Sequence, residues 1–335
     1  MLEVSHEKET MRNVPALPTS HHFQLHALAD GVYAALATPD GWAISNAGIV
    51  DLGNKTVIFD TFLSPQAAAD LRSAAETLTG RPVTTVINSH YHNEHVWGNQ
   101  VFADADLVAT TGTYAAMDTA GRQAIAWHQE HTAAHLADLT ARQAAAKREP
   151  ERHQLSQRIT YDQAVIDTLP GLTLHLPNFT FDSRLVLRGS QRRVELITYG
   201  AGHTQSDALL YLPQDNILFM GDLLTVGCHP YLADGDPGEI NRILDMVIKL
   251  NPKILLPGQG AIGTLADVHA IGRYMTALSE LALVELTYKL ESPAQLDEKI
   301  AQIAVPTPFA AWSQADFFTA NLRFLYHRLL KAYAD

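Results

Sequence analysis

Apolar runs of strand length, separated by turn signals, dominate the chain from Phe23 onward. "FQLHALADGVYAALAT", "WAISNAGIVDLG" and "KTVIFDTF" are broken by "DG", "PDG" and "GN", which predicts a meandering antiparallel start. "SPQAAADLRSAAETLTG" then reads as a helix, with Ser64 as N-cap, Pro65 in the first helical position and Gly80 as the stop. "RPVTTVINS" is a strand. The Ala-rich stretch from Thr113 to Thr168 has helical period with a break near Pro150, and predicts a helical insertion or lid. Beyond it, "LTLHL", "FTFDSRLVL", "RVELITYG", "DALLYLP" and "NILFMGD" are further strands. "PGEINRILDMVIKL" is a helix and "KILLPGQG" a last strand and loop, with C-terminal helices from about Leu265, interrupted at Pro306 and Pro308. Strands followed by helices, twice over, imply an α/β layered fold. The polar start with Pro15 and Pro18 predicts a flexible arm over 1–21, leaving 22–335 as one domain.

Composition narrows the chemistry. The 335 residues are 47% hydrophobic, enough for a substantial core. With Asp+Glu 36 against Lys+Arg 24, the net charge of −12 argues against nucleic acid and anionic membranes as partners. Oligomeric state is not legible. Cys228 is the only cysteine, so an intrachain disulfide or a thiolate-bound structural zinc is excluded, and any metal must use nitrogen and oxygen donors. The N-terminus lacks the apolar core of a signal peptide and no apolar run reaches bilayer length, so a cytoplasmic protein is expected.

The candidate chemistry sits in "NSHYHNEHVWGNQ", where His90, His92, Glu94 and His95 fall within six positions at the end of a strand. Residues two apart on an extended segment share a side, so His90 and His92 can face one ion while Glu94 and His95 face a second beside it. "YGAGHTQSD" and "FMGDLL" bring His203 and Asp222 to two further strand ends. A second histidine set, His128, His131 and His135 in "WHQEHTAAHL", lies on one helical stripe and reads as a solvated face.

These segments, in this order, resemble the metallo-β-lactamase-fold hydrolase superfamily over Phe23 to Arg273, and "HYHNEHVWGNQVF" with "MGDLLTVGCHPYLADGDP" is similar to its glyoxalase-II-like or β-lactamase-like bacterial members. The resemblance implies a four-layer αββα sandwich. It also implies a first metal site of His90, His92 and His203, with Asp222 bridging to a second site. In that second site the positions read Glu94, His95 and Gln259 where the pattern has Asp, His and His. Asp60, in "VIFDT", matches an acid that supports metal-binding histidines from behind. His229 and Tyr231 are expected at the pocket mouth as substrate contacts, His229 also as a substitute for the missing ligand.

The implied activity is metal-dependent hydrolysis, a zinc-bound hydroxide attacking a small ester, lactone, thioester or amide, with Glu94 and Asp222 as catalytic carboxylates. A longer Glu side chain and a neutral Gln amide weaken the second site. One tightly held zinc, two ions in adjusted geometry, and a degenerate non-catalytic member therefore all stay open. Iron or manganese would also suit the donors, and iron would make the protein a redox enzyme of the same fold.

Overall fold

The computed structural model describes residues 16–284 and 295–334. The predicted meander is β1 (Phe23–Ala29), β2 (Val32–Ala37), β3 (Ala47–Asp51) and β4 (Thr56–Phe59), each antiparallel to the next. Helix α1 (Pro65–Thr79) starts where Ser64 Oγ accepts the Ala67 amide at 3.1 Å and ends at left-handed Gly80. It returns the chain to β5 (Val83–Ile87), parallel to β4. A four-residue helix α2 (Asn93–Val96) and a 3₁₀ stretch (Trp97–Phe102) lead to β6 (Asp106–Thr110), which the sequence reading missed.

The insertion comprises α3 (Thr111–Ala116), a π-helical stretch (Met117–Gly121), α4 (Arg122–Ala145) and α5 (Glu149–Thr168). The long helices pack as a hairpin through Leu139, Ala146 and Leu155. "LTLHL" is not a strand. Its leucines Leu172, Leu174 and Leu176 pack against Trp97 and Val165, so apolar side chains supply its partners in place of a ladder. "FTFDSRLVL" divides between two sheets, as β7 (Phe179–Phe181) beside β6 and β8 (Arg184–Arg188) beside β9 (Arg193–Thr198). β10 (Ala208–Leu212), β11 (Ile217–Val226), α6 (Pro237–Leu250), β12 (Ile254–Gly260), α7 (Leu265–Leu281), α8 (Leu296–Gln302) and α9 (Asp316–Ala334) complete the described chain.

Two sheets result, β1 to β7 in chain order and β12-β11-β10-β9-β8. Alternation along β4 shows why they stack. Val57 and Phe59 face the second sheet, where Phe59 meets Phe219 edge-on at 5.7 Å, while Ile58 faces Leu71 and Ala75 of α1. In β11, Ile217 and Phe219 join that central core while Leu218 and Met220 pack toward α6 and α7. The four-layer αββα sandwich is therefore borne out, with three apolar seams and the helical hairpin outside it.

Residues 1–15 of the expected arm lie outside the described residues. At its end, Ser20 Oγ donates to Asp70 at 2.7 Å and the His21 carbonyl accepts from Thr38 Oγ1 at 2.6 Å. Among the described residues no helix is long and apolar enough to cross a membrane.

Candidate metal centre

The predicted residues converge where the strand ends of both sheets meet. Asp60 leaves β4 in the left-handed region at φ 63°, a conformation that costs about 1–3 kcal/mol for a non-glycine residue and persists only where the surroundings enforce it. Its backbone amide donates to Ile87 O at 2.8 Å, and its carboxylate accepts from Ser89 N and Ser89 Oγ, both at 2.7 Å. That clamp fixes the start of the histidine loop. Ser89 Oγ is also 2.9 Å from His90 Nδ1, so the other ring nitrogen, Nε2, faces inward, buried and without a hydrogen-bond partner.

His92 follows in extended conformation and caps α2. Its Nε2 lies 2.9 Å from Asp234 Oδ2, which also accepts from Tyr91 Oη at 2.6 Å, and its Nδ1 lies 3.1 Å from His203 Nε2. His203 comes from the turn between β9 and β10, held by Asp207, whose carboxylate accepts from the Thr204 amide and hydroxyl. The rings of His90, His92 and His203 lie 4.7–4.8 Å apart and nearly perpendicular to one another.

The chain turns helical at Asn93, so Glu94 and His95 do not continue the side sharing of the extended segment. His95 turns fully inside, its Nδ1 2.9 Å from Asp60 Oδ2 and its Nε2 3.3 Å from Asp222 Oδ1. Glu94 faces the cavity beside Tyr161, where its carboxylate makes no hydrogen bond or ion pair with the described residues. Asp222 sits within β11, one residue after Gly221, whose φ of 52° favours glycine and where a Cβ would come within 2.7 Å of the Ser89 side chain. On the neighbouring strand β12 a Cβ on Gly258 would overlap Asp222 Oδ1 at 1.8 Å, which explains the small residue beside Gln259. Gln259 lines the cavity, and its side chain makes no hydrogen bond with the described residues.

Electrostatics separates two donor groups. Burial and the surrounding imidazoles hold His90 well below the usual histidine range, and burial brings His203 down to about 3, so both rings are neutral. Burial pushes on His95 in the same direction, but Asp222 and Asp60 outweigh it and hold this ring well above that range. Asp222, in turn, is drawn down to about 2: burial raises it, and His95 and then the other histidines overcome that.

Two groups could hold a metal ion among the described residues, His90–His92–His203 and His90–His95–Asp222, each with donor atoms within 4.8 Å of one another. The first fits a divalent ion. Three imidazoles converge there, and His90 Nε2 and His203 Nδ1 are buried without a hydrogen-bond partner, an arrangement that is costly unless a cation takes up ring nitrogens of the group. The second has two donors of its own, His95 and Asp222, and Glu94 is in neither group.

A family model for the metallo-beta-lactamase superfamily matches residues 40–259. The chain belongs to that superfamily. Among solved structures, a metallo-beta-lactamase from Pontibacter korlensis shares 16% identity at a TM-score of 0.55, covering 76% of this chain and 99% of its own. DIM-1 metallo-beta-lactamase gives 14% and 0.54 over 76% and 98%, and VMB-1 gives 17% and 0.55 over 77% and 99%. At such identity the likeness concerns the fold, and it agrees with the two sheets and their flanking helices.

These strand ends open into a cavity of about 770 Å³, in the size range of small-molecule sites. Tyr231 lines it, with its ring 6.1 Å from His92 and 5.4 Å from Phe317. His229 also touches it but joins neither donor group. Its Nδ1 is 2.9 Å from Tyr274 Oη, its ring lies among Tyr274, Trp312 and Phe318, and burial lowers it to about 4.

The insertion histidines diverge. His135 pairs with Asp162 at 2.7 Å, His131 stacks on Trp127, and His128 contradicts the solvated-face reading. It is half-buried, lines the cavity and lies 3.1 Å from Asn93 Nδ2. Asp234 and Ser89 were missed by sequence reasoning. Asp234 carries no local signal beyond following Tyr231 by three positions, because a distant loop brings it to His92.

Proposed function

We propose that this protein is a metal-dependent hydrolase of small acyl compounds, with zinc held first by His90, His92 and His203. The convergence of buried His90 and His203 with half-buried His92, the last two lining a ligand-sized cavity, carries this reading. When bound there, a divalent ion supplies Lewis acidity, lowering the pKa of water toward 7 and drawing electron density from a carbonyl oxygen.

The chain's own residues do the rest. Asp234 and Ser89 hold the outer nitrogens of His92 and His90, fixing the rings so that their inner nitrogens face one point. Asp222, reached by His95 and backed by Asp60, keeps a carboxylate beside that point, while the unpaired Glu94 is a hydrogen-bond acceptor that orients water. Water adds to the acyl carbon, the bond to the leaving heteroatom breaks, and one water proton passes to the leaving group. Glu94 and Gln259 are thereby assigned to the cavity and His95 with Asp222 to a weaker second ion. His229 and Tyr231 contact substrate, Tyr231 more directly. A small-molecule partner in place of nucleic acid belongs to the same reading and is supported by the acidic charge, and a cytoplasmic location by the polar N-terminal stretch.

Elemental analysis after zinc loading, paired with turnover of an ester, lactone, thioester, amide and β-lactam panel, tests it. About one zinc per chain and an activity lost in His92→Ala are expected. Iron in the purified protein, with turnover lost on zinc exchange, would replace it with the redox reading. No hydrolysis with any metal would leave a non-catalytic member of the family.

A further inference from the structure

The helical wall of the cavity differs chemically from the strand-end wall. Gln154, Gln157, Arg158 and Tyr161 of α5 all line it, spaced so that they form one stripe of the helix. Arg158 is the one Lys or Arg among the described lining residues. Its side chain is 37% exposed and makes no hydrogen bond with described residues, and its only ion pair among them is a long contact to Asp316 Oδ2 at 3.5 Å. The guanidinium lies over the Phe317 ring at 5.9 Å, which orients its plane without occupying its donors. Asp316 is equally underused, its Oδ1 buried without a hydrogen-bond partner. Two elements distant in sequence, α5 and α9, thus present a half-satisfied guanidinium to the cavity, flanked by two amide side chains.

We propose that Arg158 is the specificity-determining residue of this cavity and takes a carboxylate, so the preferred acyl substrate carries a carboxylate remote from the carbonyl that is attacked. The inference rests on the hydrolase reading. A guanidinium edge matches a carboxylate with two parallel N–H donors, and an incoming carboxylate gains both while displacing only one long contact. A phosphate dianion is a poorer match, because one arginine next to Asp316 leaves its second charge unbalanced.

Mono-(4-nitrophenyl) glutarate and 4-nitrophenyl butyrate, given to the zinc-loaded full chain, read the preference. Calorimetric titration with glutaramate against neutral glutaramide reads binding without turnover. The expected result is a preference of about tenfold or more for each anionic probe, carried by KM for the ester, falling toward one in Arg158→Gln. Asp316→Asn removes the competing carboxylate and should raise the preference. If both variants lower it alike, the pair is only a structural tie between α5 and α9 and the proposal fails. Turnover without anionic preference overturns the Arg158 assignment alone. Preferential binding of glutaramate with no turnover overturns the hydrolase reading alone, and neither binding nor turnover overturns both.

Discussion

His90 and His95 are five residues apart with ring centroids 4.2 Å apart, yet they belong to opposite electrostatic situations. The first group, His90, His92 and His203, is braced from outside by Ser89 and Asp234 and keeps two buried ring nitrogens, His90 Nε2 and His203 Nδ1, without a hydrogen-bond partner. In the second, His95 lies between Asp60 and Asp222, so that each of its ring nitrogens already faces a carboxylate. Desolvation without a partner is costly, whereas a buried imidazolium between carboxylates is compensated. Residue type alone therefore does not separate the two groups: in the first, His90 and His203 each keep a buried ring nitrogen without a partner, whereas in the second both nitrogens of His95 face carboxylates.

The sharpest way to break this comparison is a pair of variants. His95→Ala should cost the metal-free protein about 3–5 kcal/mol in urea unfolding, because it strands Asp60 and Asp222 as buried charges. His203→Ala should instead lower zinc affinity by more than about 100-fold, beyond what loss of an outer-shell partner costs. Equal loss of stability in both, with zinc retained, would erase the distinction. Asp234→Asn keeps the shape but weakens the brace on His92, and zinc affinity by competition with a chelator should fall about 10–100-fold. An unchanged affinity would mean that the His92 ring is fixed by packing.

His229→Phe tests the smallest effect, on a buried histidine of the same cavity outside both groups. Burial lowers its folded pKa to about 4 against an ordinary value near 6.5. Between those pH values the unfolded chain binds a proton that the folded chain does not, so stability falls as pH is lowered through that window. Removing the ring should flatten the stability–pH slope by up to about 1.4 kcal/mol per pH unit and leave zinc content unaltered. Loss of zinc in this variant would make His229 a ligand after all.

The local parts of the site were readable because they are contiguous. "HYHNEH" carries its ligand spacing in six residues, and Ser64 with Gly80 marks both ends of α1. Glu94 misled because side sharing assumes an extended backbone, and the chain coils into α2 after His92. "LTLHL" misled because alternation reports an apolar face and not whether a neighbouring strand exists. His128 misled because an Ala-rich helix looks the same in sequence whether its histidine meets water or Asn93.

The sequence by itself determined the layered α/β pattern, the strand-end loops that carry His90, His92 and His203, and the exclusion of a thiolate cluster. Those follow from periodicity, spacing and composition, which are properties of short segments. Only the tertiary structure decided that Asp234 braces His92 across 142 positions, that His95 is flanked by two carboxylates, and that Arg158 meets Asp316 at the cavity wall. Such pairings depend on how whole sheets and helices pack, and burial sets their charge only after that packing has excluded water.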